Sequence, residues 1–302
     1  MRVVRTVHEL QAMADVERRE GARIGLVPTM GALHRGHLSL IDVARRHADR
    51  VWVSIFVNPS QFDVAGELDA YPRSLAADLA ACRGAGVDAV FVPEAREIYP
   101  AASQTWVEVT ELSRPLCGAS RTGHFRGVAT VVAKLLIAAK PHVAVFGEKD
   151  FQQLAVIRRM VRDLGLDVEI VGGEIVREAD GLALSSRNQR LDAEARRQAR
   201  VLSQALDAAE RAVAADECNS AGLLHLVRSE IEKAPRAEID YVELRDPENL
   251  EPSPPRLTGS ALLALAVGFR PAADGGGASV RLIDNRILRP PGRELPVTRT
   301  SA

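Results

Sequence analysis

Two histidines, His34 and His37, stand three residues apart in the run Pro28-Thr29-Met30-Gly31-Ala32-Leu33-His34-Arg35-Gly36-His37. At that spacing, at the mouth of a helix, they share one face. A helix N-terminus offers unpaired N–H groups and the positive end of a dipole, which suits phosphate. Imidazole N–H groups add donors aimed at the same place. Gly31 and Gly36 let the chain turn tightly, and Gly36 leaves room between the rings for a phosphate or a base. The same two histidines read equally well as polar caps of a helix. Zinc is the poorest reading, because two histidines supply two ligands and no nearby Cys or carboxylate pair completes a familiar spacing. Three more polar clusters could join such chemistry: Asn58-Pro59-Ser60-Gln61, Gly147-Glu148-Lys149-Asp150 and Ser185-Ser186-Arg187-Asn188, with Arg121 and His124 in a loop between them. Taken singly, each is an ordinary cap, solvated pair or loop.

The elements that must position them are legible in part. Ile24 to Val27 is a short apolar run, a buried strand ended by Pro28, and Leu38, Leu40, Ile41 and Ala44 mark one face of a helix running from Leu38 to near Asp49. Val51 to Val57 is strongly β-prone and stops at Asn58-Pro59. Residues 63 to 73 read as a mobile polar loop, Ser74 to Cys82 as a helix capped by Ser74, and Ala89 to Val92 as a strand. Trp106 to Val109 alternates like an edge strand, and Leu116 to Arg126 reads as a loop. A helix over 128–139, a strand over 143–146, a helix over 152–164 and a strand over 167–171 complete an alternation of strands and helices. This predicts a Rossmann-like parallel α/β sheet over residues 1–175, entered through a lead-in helix within residues 1–23. In such sheets ligands lie beyond the carboxyl ends of the strands, where three of the clusters fall. After residue 175 come a long Ala-rich helix (192–215), another (220–233) and three strand-like runs (239–244, 261–267, 280–283). They predict a smaller α+β domain over 176–290 that closes over the site, with 291–302 a disordered tail.

The whole chain excludes other classes. Its 302 residues are 46% hydrophobic and 26% charged, the balance of an ordinary globular protein. A net charge of −1 argues against broad binding to nucleic acid or anionic membranes. Three scattered cysteines, Cys82, Cys117 and Cys218, do not make a disulfide framework and fit a reducing compartment. With no apolar leader and no run of membrane-spanning length, the expectation is a cytoplasmic protein.

His-x-Gly-His after the first strand of an α/β domain is a signature of adenylating and nucleotidyl-transferring enzymes. In this chain it is joined, in order, by Ser54-Ile55-Phe56-Val57-Asn58-Pro59-Ser60-Gln61-Phe62, Tyr71-Pro72-Arg73, Phe146-Gly147-Glu148-Lys149-Asp150-Phe151-Gln152-Gln153 and Arg177-Glu178-Ala179-Asp180-Gly181-Leu182-Ala183-Leu184-Ser185-Ser186-Arg187-Asn188. With these motifs the chain resembles the pantoate–β-alanine ligase family over its first two-thirds. The resemblance implies ligation in two steps. Pantoate attacks the α-phosphate of ATP to give pantoyl adenylate and pyrophosphate, and β-alanine then displaces AMP. It implies that Met30, Gly31, Ala32, Leu33, His34, Arg35, Gly36 and His37 hold ATP. Gly147, Glu148, Lys149, Asp150 and Val176 would bind the nucleoside side, and Leu184, Ser185, Ser186 and Arg187 would close over the phosphates. His37, His34, Lys149 and Arg187 become the catalytic set, with His37 either a protonated donor or a neutral hydrogen-bonding one.

The resemblance further places (R)-pantoate on Gln61 and Gln153 and β-alanine near Gln61, with Asn58 and Tyr71 as further candidates and Arg121 and His124 framing the far wall. Neutral amides can address hydroxyls and a carboxylate without neutralising the nucleophile. Mg²⁺ would enter bridging the phosphates of ATP, with Asp78 at the position linked to the metal. A homodimer is implied, with edge contacts near 106–109. Leu184 stands where Met is commoner and Phe151 where Tyr is. Two rivals remain: a related nucleotidyltransferase, and a nucleotide-binding sensor without chemistry.

Overall fold

The computed structural model describes residues 1–62, 66, 68, 71–272 and 279–291. The expectations for a mobile loop over 63–73 and a disordered tail over 291–302 fall largely outside those residues. The chain divides into two units, Met1–Val176 with Leu184–Ser186, and Arg177–Ala183 with Arg187–Ala302.

The first unit is built on six parallel strands, β1 (Arg2–Val4), β2 (Ile24–Thr29), β3 (Arg50–Ile55), β4 (Ala89–Phe91), β5 (Val143–Gly147) and β6 (Glu169–Gly173), in the order β1-β4-β3-β2-β5-β6. Strands covered on both faces need unbroken apolar runs, and Ile24, Leu26, Val27, Val51, Trp52 and Val53 are all buried. The helices between them are α1 (Val7–Arg19), α2 (Arg35–His47), α3 (Leu75–Gly84), α4 (Ala95–Ile98), α5 (Cys117–Ser120), α6 (His124–Ala139) and α7 (Phe151–Asp163). α1 opens on a capping box, Thr6 Oγ1 accepting from Glu9 N while a Glu9 carboxylate oxygen accepts from Thr6 N. From β2 the chain winds outward through β3 and β4, and from β5 it winds the other way to β6. The strand order therefore reverses between β2 and β5, the place where a crevice opens beyond the strand ends.

The second unit is an antiparallel sheet, β7 (Ala237–Arg245), β8 (Ala261–Phe269) and β9 (Val280–Leu288), with α8 (Ala193–Gln198), α9 (Val201–Ala214) and α10 (Ser220–Ile231). Its core joins Leu202, Leu206, Val227, Leu263 and Leu265. Within it the turn Arg177–Ala183 is anchored by Arg177, whose guanidinium grips the buried Asp284 through two bonds of 2.6 and 2.9 Å.

Several elements differ from the sequence expectation. Residues 1–23 are not helix alone: β1 precedes α1 and pairs with β4, Val4 opposite Phe91. Only Val4 of its three residues is buried, so no alternation announces it. Trp106 to Val109 is not a strand. Val107 N donates instead to Thr130 Oγ1 of α6 at 2.9 Å, so a side chain takes the place of a ladder, and the described sheet edges are β1 and β6. The expected single helix over 192–215 is two, because Leu202 N reaches back three residues to Ala199 O and one turn tightens. α2 begins at Arg35 rather than Leu38, and α6 at His124 rather than Val128. Ser74 makes no side-chain cap on α3.

Candidate active site

The loop after β2 is held from two sides. Thr29 Oγ1 donates to Ser54 O at 2.8 Å and accepts from Gly31 N at 3.2 Å. Gly31 (φ +85°) and Ala32 (φ +51°) are both left-handed, which for Ala32 costs roughly 1–2 kcal/mol. The compensation comes from Asp78, a buried carboxylate on α3. Its Oδ2 accepts from Ala32 N at 3.0 Å and its Oδ1 from Leu33 N at 2.8 Å. Asp78, which the resemblance links to the metal, thus has both oxygens bonded to the backbone that presents the histidines. Among the described residues no group of three His, Cys, Asp or Glu side chains could hold a metal ion.

The histidines cap their own helix. His34 is the N-cap of α2, its Nδ1 accepting from Gly36 N at 3.1 Å, and His37 Nδ1 accepts from His34 N at 3.3 Å. The result is a capping box with imidazoles in both places. Backbone N–H groups only donate, so both Nδ1 atoms are bare and each neutral ring carries its proton on Nε2. The ring centroids lie 4.1 Å apart. The N–H groups of Gly36, His37 and Leu38 are all spent on His34, so the turn offers chiefly the helix dipole and the two Nε2–H groups. Gly36 also serves this capping turn. A Cβ there would stand 2.9 Å from His34 Cε1, so the glycine makes room for His34's own ring. The same Cβ would lie 3.8 Å from Leu184 Cβ, which puts Leu184 beside the histidine turn.

Burial, then the neighbouring His34, push the His37 ring from its ordinary 6.5 down to about 3, with Lys149 adding to the fall and Asp150 opposing it. Burial and Lys149 lower His34 as well. Both rings are therefore neutral donors near pH 7. The unfolded chain takes up a proton near pH 6.5 that folded His37 refuses until about pH 3. Stability is thus complete above pH 6.5 and drains as pH falls through that window, by at most about 1.4 kcal/mol per unit. Urea unfolding from about pH 7 to about pH 4.5, inside that window, should show a shallower loss for His37→Gln than for the unaltered chain. Parallel curves would contradict the assignment.

Beyond β3, the 3₁₀ turn Pro59–Gln61 carries Gln61, nearly buried. Its Nε2 donates to Met30 Sδ at 3.0 Å, which ties it to the histidine loop, and its Oε1 accepts from Asn58 Nδ2 at 3.1 Å. His124 Nδ1 donates to Gln61 O at 2.7 Å. α6 packs so closely on this turn that a Cβ on Gly127 would fall 2.3 Å from Ser60 O, which only glycine allows. Tyr71 meets Phe62 edge-on at 5.8 Å.

Beyond β5, Gly147 leads into the 3₁₀ turn Glu148–Asp150 and then α7. Lys149 is largely covered and lies 3.8 Å from the more exposed Asp150 carboxylate. A Cβ at Gly147 would meet only Leu40, at an ordinary 3.9 Å, so the close approach expected there is not enforced by packing. Of the paired glutamines, Gln152 is buried in the scaffold, with its amide bonded to Cys117 N, Leu112 O and Pro115 O, and the half-buried Gln153 stands in the first turn of α7. Val176 O accepts from Leu184 N at 2.9 Å, and Ser185 and Ser186 follow in the same unit. Arg187 resumes the second unit, where the buried Asn188 staples Glu178 and Ala183 O. Arg121 follows α5 as its C-cap residue. The structure thus brings Met30, His34, His37, Gln61, Lys149, Asp150 and Leu184 into one neighbourhood. The residues that reasoning from sequence missed, Asp78 as a strut together with Tyr99 and Gly127, act across long chain separations that leave no local pattern.

A parallel sheet with its strand reversal between β2 and β5, and neutral imidazoles at the mouth of the helix that follows β2, defines a Rossmann-like α/β protein of the class that binds ligands beyond its strand ends. A family model described as pantoate-beta-alanine ligase matches residues 2–287, and the chain belongs to that family. It is accordingly an ATP-dependent ligase that forms pantothenate. Among its relatives is the pantothenate synthetase of Syntrophobacter fumaroxidans, 52% identical over 96% of this chain and 99% of that one. A crystal structure of pantothenate synthetase from Thermus thermophilus superposes with a TM-score of 0.87 at 45% identity, covering 96% of this chain and 100% of that one. A pantoate-beta-alanine ligase from Francisella tularensis, crystallised with beta-gamma ATP and beta-alanine, gives 0.75 at 32% identity over 95% and 97%.

Proposed function

We propose that the neighbourhood around His34 and His37 activates pantoate as its adenylate and then transfers the acyl group to β-alanine. The carrying observation is the reciprocal cap, which bares both Nδ1 atoms to the backbone and leaves two Nε2–H donors. A pantoate carboxylate oxygen attacks the α-phosphorus of ATP, and the α–β bridging oxygen leaves with pyrophosphate. Charge grows on the phosphate oxygens in that step, and two neutral N–H donors with the Lys149 ammonium stabilise it without a protein nucleophile. The β-alanine amine then attacks the acyl carbon. The acyl C–O bond breaks, AMP departs, and the amine loses a proton. Gln61 and Gln153 hold pantoate, with Gln61 next to β-alanine. Asp150 takes a ribose hydroxyl, Val176 packs near adenine, and Ser185, Ser186 and Arg187 take phosphate oxygens.

Mg²⁺ belongs to this reading as part of the nucleotide substrate, bridging phosphates with few protein ligands. So do a homodimer, whose mass light scattering would read, and a cytoplasmic setting without nucleic-acid or membrane partners. No helix among the described residues is long and apolar enough to cross a membrane.

Oxygen labelling tests the route. With ¹⁸O in both carboxylate oxygens of pantoate, the adenylate path delivers one label into AMP and leaves one in pantothenate. AMP free of label would overturn it.

A further inference from the structure

Asn58 is an asparagine whose amide orientation is set by atoms that allow no choice. Its Nδ2 lies 3.2 Å from Gly127 O, a carbonyl that only accepts, and its Oδ1 lies 3.3 Å from Ser60 N, which only donates. Two hydroxyls gather at the oxygen end so fixed: Tyr99 Oη and Ser60 Oγ each stand 2.9 Å from Oδ1 and 2.8 Å from one another. The remaining Nδ2 proton goes to Gln61 Oε1 at 3.1 Å. The bond to Asn58 therefore fixes which end of the Gln61 amide is oxygen and turns its Nε2 donors toward Met30 and the histidine loop.

We propose that Tyr99 is a positioning residue for the acid substrate: with Ser60 it locks the Asn58 amide, and Asn58 in turn locks the Gln61 amide with its N–H donors toward the histidine loop. Such a donor fits the oxygens of a hydroxy-acid and disfavours an ammonium group at the same point. Tyr99 belongs to a segment 37 residues further along the chain than Phe62, and its ring is fixed independently of its hydroxyl. It stacks on Trp106 with centroids 6.3 Å apart, and Lys134 Nζ sits 5.0 Å from its centre. Phenylalanine preserves both contacts and removes only the hydroxyl that reaches Asn58.

The inference rests on the assignment of Gln61 to pantoate, and a double-mutant cycle separates the two. Tyr99→Phe should raise KM for pantoate about tenfold, the worth of one buried hydrogen bond, with KM for ATP and the melting temperature little changed. In a Gln61→Ala background, which itself raises KM for pantoate, the same replacement should have no further effect. Ser60→Ala, which leaves the Tyr99 hydroxyl in place, should raise KM for pantoate less. The inference is overturned if Tyr99→Phe leaves KM for pantoate unchanged, raises both KM values alike, or retains its full effect without Gln61. If Gln61→Ala does not raise KM for pantoate, the assignment beneath it falls as well. A Tyr99→Phe protein that melts much earlier and loses kcat with both KM values is a packing variant, which also counts against the proposal.

Discussion

Replacing His37 with alanine lowers the single-turnover rate of pantoyl-adenylate formation by on the order of 10²-fold or more. The lost group is the Nε2–H that the capping geometry turns away from the backbone, and His34 N loses its acceptor at the same time. The loss should fall mainly on the first step, where the α-phosphate is attacked and the departing pyrophosphate gains charge. Acyl transfer from preformed adenylate should change less. His37→Gln, which keeps an N–H donor, should recover part of the rate. With the ring held neutral, pH profiles of kcat/KM for the unaltered protein should show no limb near 6.5 from His37. Near-normal adenylate formation by His37→Ala, in rapid-quench measurements, would remove the residue from the chemistry.

Replacing Asp78 with asparagine should cost roughly 3 kcal/mol of stability and most of the activity, although the side chain touches no substrate in this account. The carboxylate accepts from two successive backbone N–H groups beside a left-handed alanine. An amide can satisfy one of them and must aim its NH₂ at the other, so a donor faces a donor in a buried place. The loop that carries Met30, His34 and His37 then loses its support. Because the defect lies in the loop, excess Mg²⁺ should not restore activity. A protein of unchanged melting temperature whose activity returns with added Mg²⁺ would make Asp78 a metal-linked residue after all. Calorimetry and a Mg²⁺ titration together decide it.

Strand–helix alternation was legible in the chain because the central strands are buried on both faces and so read as continuous apolar runs. Their spatial order was not. The reversal between β2 and β5, which creates the crevice, is a property of tertiary pairing. Edge elements were the poorest fit. β1 is too short to show a period, and the Trp106 to Val109 alternation serves packing and one Thr130 side chain rather than a ladder. The polar clusters were visible as motifs and their convergence followed from their places after strands. The internal economy of the site was hidden. Nothing local shows that Gly36 yields to a histidine ring, that Asp78 is a strut, or that Asn58 sets the orientation of the Gln61 amide. Each of these depends on an atom supplied from elsewhere, in the last two cases 45 and 3 residues along the chain.

The most direct measurement of the central claim is pyrophosphate release from ATP and Mg²⁺, with D-pantoate present or absent and with or without β-alanine. The account predicts no release without pantoate, about one equivalent per site with pantoate alone, and sustained release with both, accompanied by AMP and pantothenate. Release that ignores pantoate, or ATP binding with no release under any of these conditions, would contradict it.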